Sequence, residues 1–172
     1  MATYFANPYD ITAHGFYFET WEEYEEKSQE MMEREHPVEE FEIEIIDADC
    51  DQIRLFNALE ISQATLEDWF SPSEWDEGNL DEYEVAAACF LAEMDNYGPR
   101  QIDRDMIEDC SPFKGDLVEW AEEFIDSTGM LDNVPEEFRR YFDVEAWAQD
   151  AELSGDVAEF QFCGDTWVMF NH

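Results

Sequence analysis

The chain has 172 residues, of which 46 are acidic and 8 basic, for a formal net charge of −38 and an isoelectric point near 4.1. A field this negative repels nucleic acid and anionic membrane and attracts cationic partners from a distance, and no apolar run approaches a membrane span. The 45% hydrophobic content, with 14 Phe, 7 Tyr and 6 Trp, excludes a disordered acidic tail, which is poor in aromatics. The length suits one compact domain or a few very small ones.

The opening MATYFANPYD has no basic and no apolar stretch, so no signal peptide is expected and the chain reads as intracellular. TYFA (3–6) and GFYFE (15–19) read as two short strands around a turn-rich NPYDITAH segment. Thr20, with Glu23 three places on, predicts a helix with a capping box. Its stripe runs Trp21, Tyr24, Ser28, Met31, Met32, and Glu22, Glu25, Glu26, Glu30 and Glu33 occupy the remainder. After His36-Pro37, VEEFEIEIID (38–47) alternates: Phe41, Ile43 and Ile45 on one face, Glu40, Glu42 and Glu44 on the other. The order β-β-α-β suits a small antiparallel sheet with one helix on one face, a first domain over 1–49.

A helical domain is expected over 50–98. Ile53, Phe56 and Leu59 have helical spacing, Thr65 suits the cap of a turn through LEDWF, and SPSEWDEGN reads as a loop. Asn79 with Glu82 predicts another capping box, opening a helix from Leu80 to about Met94 that NYGP stops. The last domain, over 99–172, is expected to be α+β. QIDRDMIED reads as an edge strand, and Asp116 caps a helix carrying Leu117, Trp120, Ala121, Phe124 and Ile125 that ends at Gly129. Pro135 suits the first position of a short helix through Phe142. Asp143 caps another through Leu153, closed by Ser154-Gly155, and VAEFQFCGDTWVMF reads as a hairpin with Gly164-Asp165 in the turn. The whole is expected to be an α+β chain of three small domains, elongated.

Signatures of catalysis are missing. With 46 carboxylates, a pair close enough for acid–base work arises by chance. DADCDQ opens like a calcium loop from Asp47, but Gln52 and Ala58 stand where Gly and Glu are needed. His14, His36 and His172 have no metal-ligand spacing. Cys50, Cys89, Cys110 and Cys163 form no CxxC pair and read as reduced, mostly buried thiols. No phosphate-cradling glycine loop or nucleophile elbow occurs, and the only adjacent basic residues are Arg139-Arg140. No catalytic residue, metal or cofactor is expected.

What remains is the charge. B-DNA carries one negative charge per about 1.7 Å of axis, so 38 charges match about 65 Å of duplex, roughly 19 base pairs. Strand residues two apart on one face are separated by about 6.6 Å, and helix residues three or four apart by about 5–6 Å at Cβ. Both resemble the spacing of successive phosphates. Glu40, Glu42 and Glu44, the helix acids Glu22, Glu25, Glu26, Glu30 and Glu33, and Asp47, Asp49, Glu119, Glu122 and Glu123 are therefore candidate phosphate mimics. Alternatives are a salt-adapted globular protein, disfavoured by 28 Glu against 18 Asp and by the heavy aromatics, or an acidic inhibitor or chaperone of another basic DNA-associated protein.

Both ends of the chain resemble a known family. YFANPYDITAHGFYFET, the acidic helix and PVEEFEIEIIDAD look like the opening of ArdA-type antirestriction proteins. VPEEFRRYFDVEAWAQDAELSGDVAEFQF is similar to that family's most recognisable stretch, with Phe142, Val144 and Gln149 where Ile, Tyr and Arg are usual. The middle, about 50 to 130, matches in length and acidity only. The resemblance implies a non-enzymatic protein of a phage or other mobile element, acting in the bacterial cytoplasm. It implies a homodimer of elongated protomers that imitate bent B-form DNA. Such a dimer occupies the DNA site of type I restriction–modification enzymes, on their DNA-binding and methyltransferase subunits. By the same resemblance, Tyr141, Phe142, Asp143, Glu145, Trp147, Asp150 and Asp156 are the candidate dimer and antirestriction stretch.

Overall fold

A computed structural model describes residues 2–70, 80–95 and 97–170. The alternation at the N-terminus becomes a sheet of β1 (Thr3–Pro8), β2 (Phe16–Phe18) and β3 (Phe41–Asp47), antiparallel in the order β2-β1-β3. Tyr4 pairs with Phe18 and Ile45, and Ala6 with Phe16 and Ile43, so one face is apolar throughout. The opposite face carries Phe5 and Tyr17, whose rings lie 4.8 Å apart, with Glu44 opposite Phe5 and Glu42 opposite Asn7. A bulge between Thr3 and Tyr4 leaves Ile46 without a partner and exposed. Gly15 is obligatory before β2, because a Cβ there would lie 2.4 Å from the Ala6 carbonyl oxygen.

The strand begins at Phe41, three residues later than the alternation suggests. The Gln63 amide replaces the ladder there, accepting from the Phe41 N–H at 2.8 Å and donating to the Glu39 carbonyl at 2.9 Å. Thr20 caps α1 (Trp21–Met32) as expected, but Glu23 accepts from the N–H of Glu19 and not of Thr20. Tyr24 packs against Phe16, Phe18 and Phe41, which seats α1 on the apolar face.

The central helices are α2 (Cys50–Ala58), α3 (Leu66–Phe70) and α4 (Glu82–Asp95). Tyr4 ties the sheet to two of them. Its ring lies 5.6 Å from Phe56 and 5.2 Å from Phe70, and its hydroxyl accepts from Trp69 Nε1 at 2.8 Å. In α4 every residue from Val85 to Ala92 is buried, as expected of a helix apolar on all sides. Its cap is Asp81, whose carboxylate accepts from Tyr83 and Glu84 while Glu84 accepts from the Asp81 N–H. Asn79 and the SPSEWDEGN loop lie outside the described residues. By its contacts the chain divides into two compact units, residues 1–104 and 105–172, so the sheet and the central helices share one unit.

The expected edge strand in QIDRDMIED is instead a helix, α5 (Arg104–Asp109). Ile102 and Ile107 are the buried positions, an odd spacing that a strand would put on opposite faces, and Asp-rich segments pair poorly in sheets. In the second unit, β4 (Phe113–Lys114), β5 (Val157–Phe162) and β6 (Asp165–Phe170) form an antiparallel sheet in the order β4-β6-β5. Asp116 caps α6 (Leu117–Thr128), which ends at Gly129 in the left-handed region, φ 64°. Pro135 is the N-cap of α7 (Glu136–Arg139), one position before the expected one, and that helix stops short of Phe142. Asp143 caps α8 (Val144–Ser154), closed by Gly155. Leu117, Trp120, Ala121, Ala148, Val157 and Val168 form the core between these helices and the sheet.

Phe162 pairs with Asp165, so the hairpin turn is Cys163-Gly164, and not Gly164-Asp165. Both turn residues have positive φ, 48° and 90°, as the twist of a two-residue hairpin demands. Cys89 and Cys110 are buried free thiols. Cys50 and Cys163 are exposed, so two of the four cysteines are not at the buried positions expected. The fold is α+β: eight helices and two small antiparallel sheets among the described residues.

Leu66→Ala, at a fully buried position, is expected to cost about 2–5 kcal/mol in urea unfolding. Ile11→Ala, at a 98% exposed position, should stay within about 0.5 kcal/mol. Similar costs for the two would contradict this packing.

Candidate functional site

The thirteen candidate phosphate mimics sit on three elements and their flanks. Glu22, Glu25, Glu26, Glu30 and Glu33 lie on α1 or its C-cap; Glu42, Glu44 and Asp47 lie on β3; Glu119, Glu122 and Glu123 lie on α6. Glu40 precedes β3, where its carbonyl accepts from the Tyr9 N–H, and Asp49 is the N-cap of α2. All thirteen are exposed. Glu119 also has a local task, accepting from the Asp116 N–H at 3.1 Å in a capping box.

Seven of the eight basic residues engage other groups. Lys27 pairs with Glu23, Arg54 with Glu93, Arg100 with Asp68, Arg104 with Glu84 and Lys114 with Asp165. Arg139 donates to the carbonyls of Asp132 and Val134, and Arg140 lies over the Tyr141 ring. Among the described residues none of the thirteen candidate acids is ion-paired.

The C-terminal candidates divide in two. Trp147 stacks on Trp120 at 5.6 Å and 9°, and on Phe124 at 5.8 Å, so it belongs to the core of its unit. Phe142 is half-buried, Asp143 caps α8 through the Ala146 N–H, and Asp156 accepts from the Ser154 hydroxyl. Tyr141 is 72% exposed, and Glu145 and Asp150 face solvent. Phe138 and Leu153, at 57% and 84%, are also exposed in this unit and were missed in the sequence. Leu153 falls off the stripe of Val144, Trp147, Ala148 and Ala151, which is the signal that marks it.

A groove of about 560 Å³ in the first unit was also missed. Its floor is Trp21, Tyr24 and Phe41, and its rim includes Glu25, Glu26 and Glu39. Trp21 reads in the sequence as plain core, whereas it is half-buried and stacks on Tyr24 at 5.4 Å and 26°. The Tyr24 hydroxyl is buried with no hydrogen-bond partner.

Burial pushes the Cys89 thiol up to about 12, so it stays protonated and unreactive at neutral pH. The described residues include no grouping of His, Cys, Asp and Glu suited to a metal ion, and no helix among them is long and apolar enough to cross a membrane.

The fold and the surface together define an acidic α+β protein with thirteen exposed candidate carboxylates that form no ion pair among the described residues. The model of the antirestriction protein (ArdA) family matches residues 9–162. The chain belongs to that family, an inhibitor family not known for enzymatic activity, and its function is antirestriction, which implies interaction with restriction enzymes. Comparison with curated proteins gave no match.

Burial pushes the Tyr24 phenol from 10.0 up to about 12. A folded pKa above the unfolded one means that this stabilisation is complete below pH 10 and is lost as pH rises toward 12. Tyr24→Phe is therefore expected to be at least as stable as wild type at pH 7, since the hydroxyl has no partner to lose. It should also lose less stability between pH 10 and 12, as read by urea midpoints. A variant that tracks wild type through that window would refute the assignment.

Proposed function

We propose that this chain inhibits type I restriction–modification enzymes by taking the place of DNA. Exposed carboxylates on α1, β3 and α6 and their flanks stand in for backbone phosphates, and basic residues of the DNA-binding and methyltransferase subunits close on them. Without base edges, the surface is gripped whatever sequence the enzyme reads. The observation that carries this reading is the distribution of charge: thirteen exposed acids without ion pairs among the described residues, while five of the eight basic residues pair with other acids.

Several finer points belong to the same proposal. The chain acts in the bacterial cytoplasm, in the service of a phage or other mobile element. Two copies associate through the 141–156 stretch, with exposed Tyr141 and Leu153 as apolar contacts. The first unit is further divisible near residue 49. Inhibition is competitive, blocking cleavage and also methylation where the same DNA site serves both.

The test is plasmid restriction in cells that carry a type I system and express this chain, with oligonucleotide competition in vitro. Protection is expected, and competition should weaken steeply with salt because counterions leave both surfaces on binding. Glu42→Gln or Glu44→Gln alone should change inhibition by about twofold or less, and neutralising Glu40, Glu42 and Glu44 together should cost cumulatively. One such single substitution abolishing inhibition in a folded protein would refute the distributed array. Binding to some other basic protein, with restriction untouched, would refute the target.

A further inference from the structure

The groove between α1 and the start of β3 has features that a mere array of charges does not need. Its floor is aromatic and ordered: Trp21 stacks on Tyr24, and Tyr24 meets Phe41 edge-on at 6.4 Å and 80°. Tyr24 and Phe41 are buried, while Trp21 keeps part of its ring in solvent. Glu25, Glu26 and Glu39 on the rim are exposed and, among the described residues, form no ion pair and have no basic side chain beside them in the groove. The rim is held in place: Gln63 clamps the backbone on both sides of Glu40, and the Ser28 hydroxyl donates to the Glu25 carbonyl.

We propose that this groove receives one arginine side chain of the basic protein that the chain inhibits. The guanidinium lies on the Trp21 indole and is shared by the carboxylates of Glu25, Glu26 and Glu39. An aromatic face beside unpaired carboxylates attracts a cation by its quadrupole and its charge together. Arginine fits better than lysine, because its planar, weakly hydrated fork stacks on aromatics and supplies enough donors for several carboxylates. An apolar peptide would leave the rim charges desolvated and unmatched. The Tyr24 hydroxyl offers one more acceptor beneath the floor. It is closed to solvent here, so reaching it requires a groove side chain to shift.

The inference rests on the proposed function for its basic partner, and adds one discrete anchor to a distributed surface. Its test needs no restriction enzyme. The full chain is titrated with acetyl-Gly-Arg-Gly-amide, and with the lysine and citrulline counterparts, while the Trp21 indole N–H is followed by NMR. A saturable shift is expected with the arginine peptide, weaker by roughly fivefold or more with the other two. It should vanish in Glu25→Gln/Glu39→Gln, which leaves the aromatic floor intact. Equal shifts with citrulline or lysine, or an unmoved Trp21 signal, would overturn the site.

In the restriction assay, Trp21→Leu should weaken inhibition by about tenfold, as loss of an aromatic anchor does at an interface. The double glutamine variant provides the same reading should Trp21→Leu fail to fold. Unchanged inhibition by both would show that the groove does not meet the enzyme, and would overturn the proposal while leaving the antirestriction mechanism standing. A wild-type chain that binds the arginine peptide but fails to inhibit would instead remove the partner and the mechanism together.

Discussion

Mutual repulsion among 46 carboxylates, with 8 basic residues to offset it, is the constraint that the rest of this structure answers. Charge of one sign destabilises any compact state, and burying an unpaired carboxylate costs far more than exposing it. The result is a strict separation: among the described residues no charged side chain is buried. Cohesion then falls to aromatic packing. Tyr4 joins the sheet to α2 and α3 through Phe18, Phe56, Phe70 and the Trp69 hydrogen bond. Trp120 does the same for α6, α8 and the second sheet through Trp147 and Phe170. A high aromatic content is what a chain this acidic needs in order to fold at all.

The acids are not only tolerated but used in building the helices. Asp81, Asp116 and Asp143 stand at helix N-termini, where a carboxylate satisfies free N–H groups and meets the positive end of the helix dipole. The last turns of α1, α2, α4, α6 and α8 hold no basic residue. Left-handed glycines close α6 and α8 in their stead, returning the chain N–H to the final carbonyls. With no ion pair among the described residues to the candidate acids of β3 and α1, those surfaces remain anionic where partners can reach them. Family membership gives that surface its purpose in outline, and the duplex-like array and the arginine groove are readings of how it serves.

Much of this was legible in the residues. Alternation in FEIEIID, the Asp116 cap, the Gly129 and Gly155 stops and the β-β-α-β order follow from local rules, and local rules suffice where side chains answer to their own neighbours. The failures arise where burial or pairing, and not the local pattern, decides. The start of β3 is set by Gln63, 22 residues away from Phe41. QIDRDMIED looks extended until Ile102 and Ile107 are seen to be its buried positions. The hairpin turn shifts by one residue because the Phe162–Asp165 pairing admits only Cys163-Gly164 between the strands. At the candidate site, exposure of the acids was foreseeable from charge alone. The groove was not, since Trp21 has the spacing of a core residue.

By itself, then, the sequence determined that this is a folded, anionic α+β protein of a recognisable family, because composition, period and capping are properties of short stretches. Only the tertiary structure decided which carboxylates stay without cations, which aromatics close the interior, and where one of them, Trp21, is left on a groove instead. Those outcomes depend on which surfaces meet, and contact between surfaces is settled by packing between segments that no local pattern encodes.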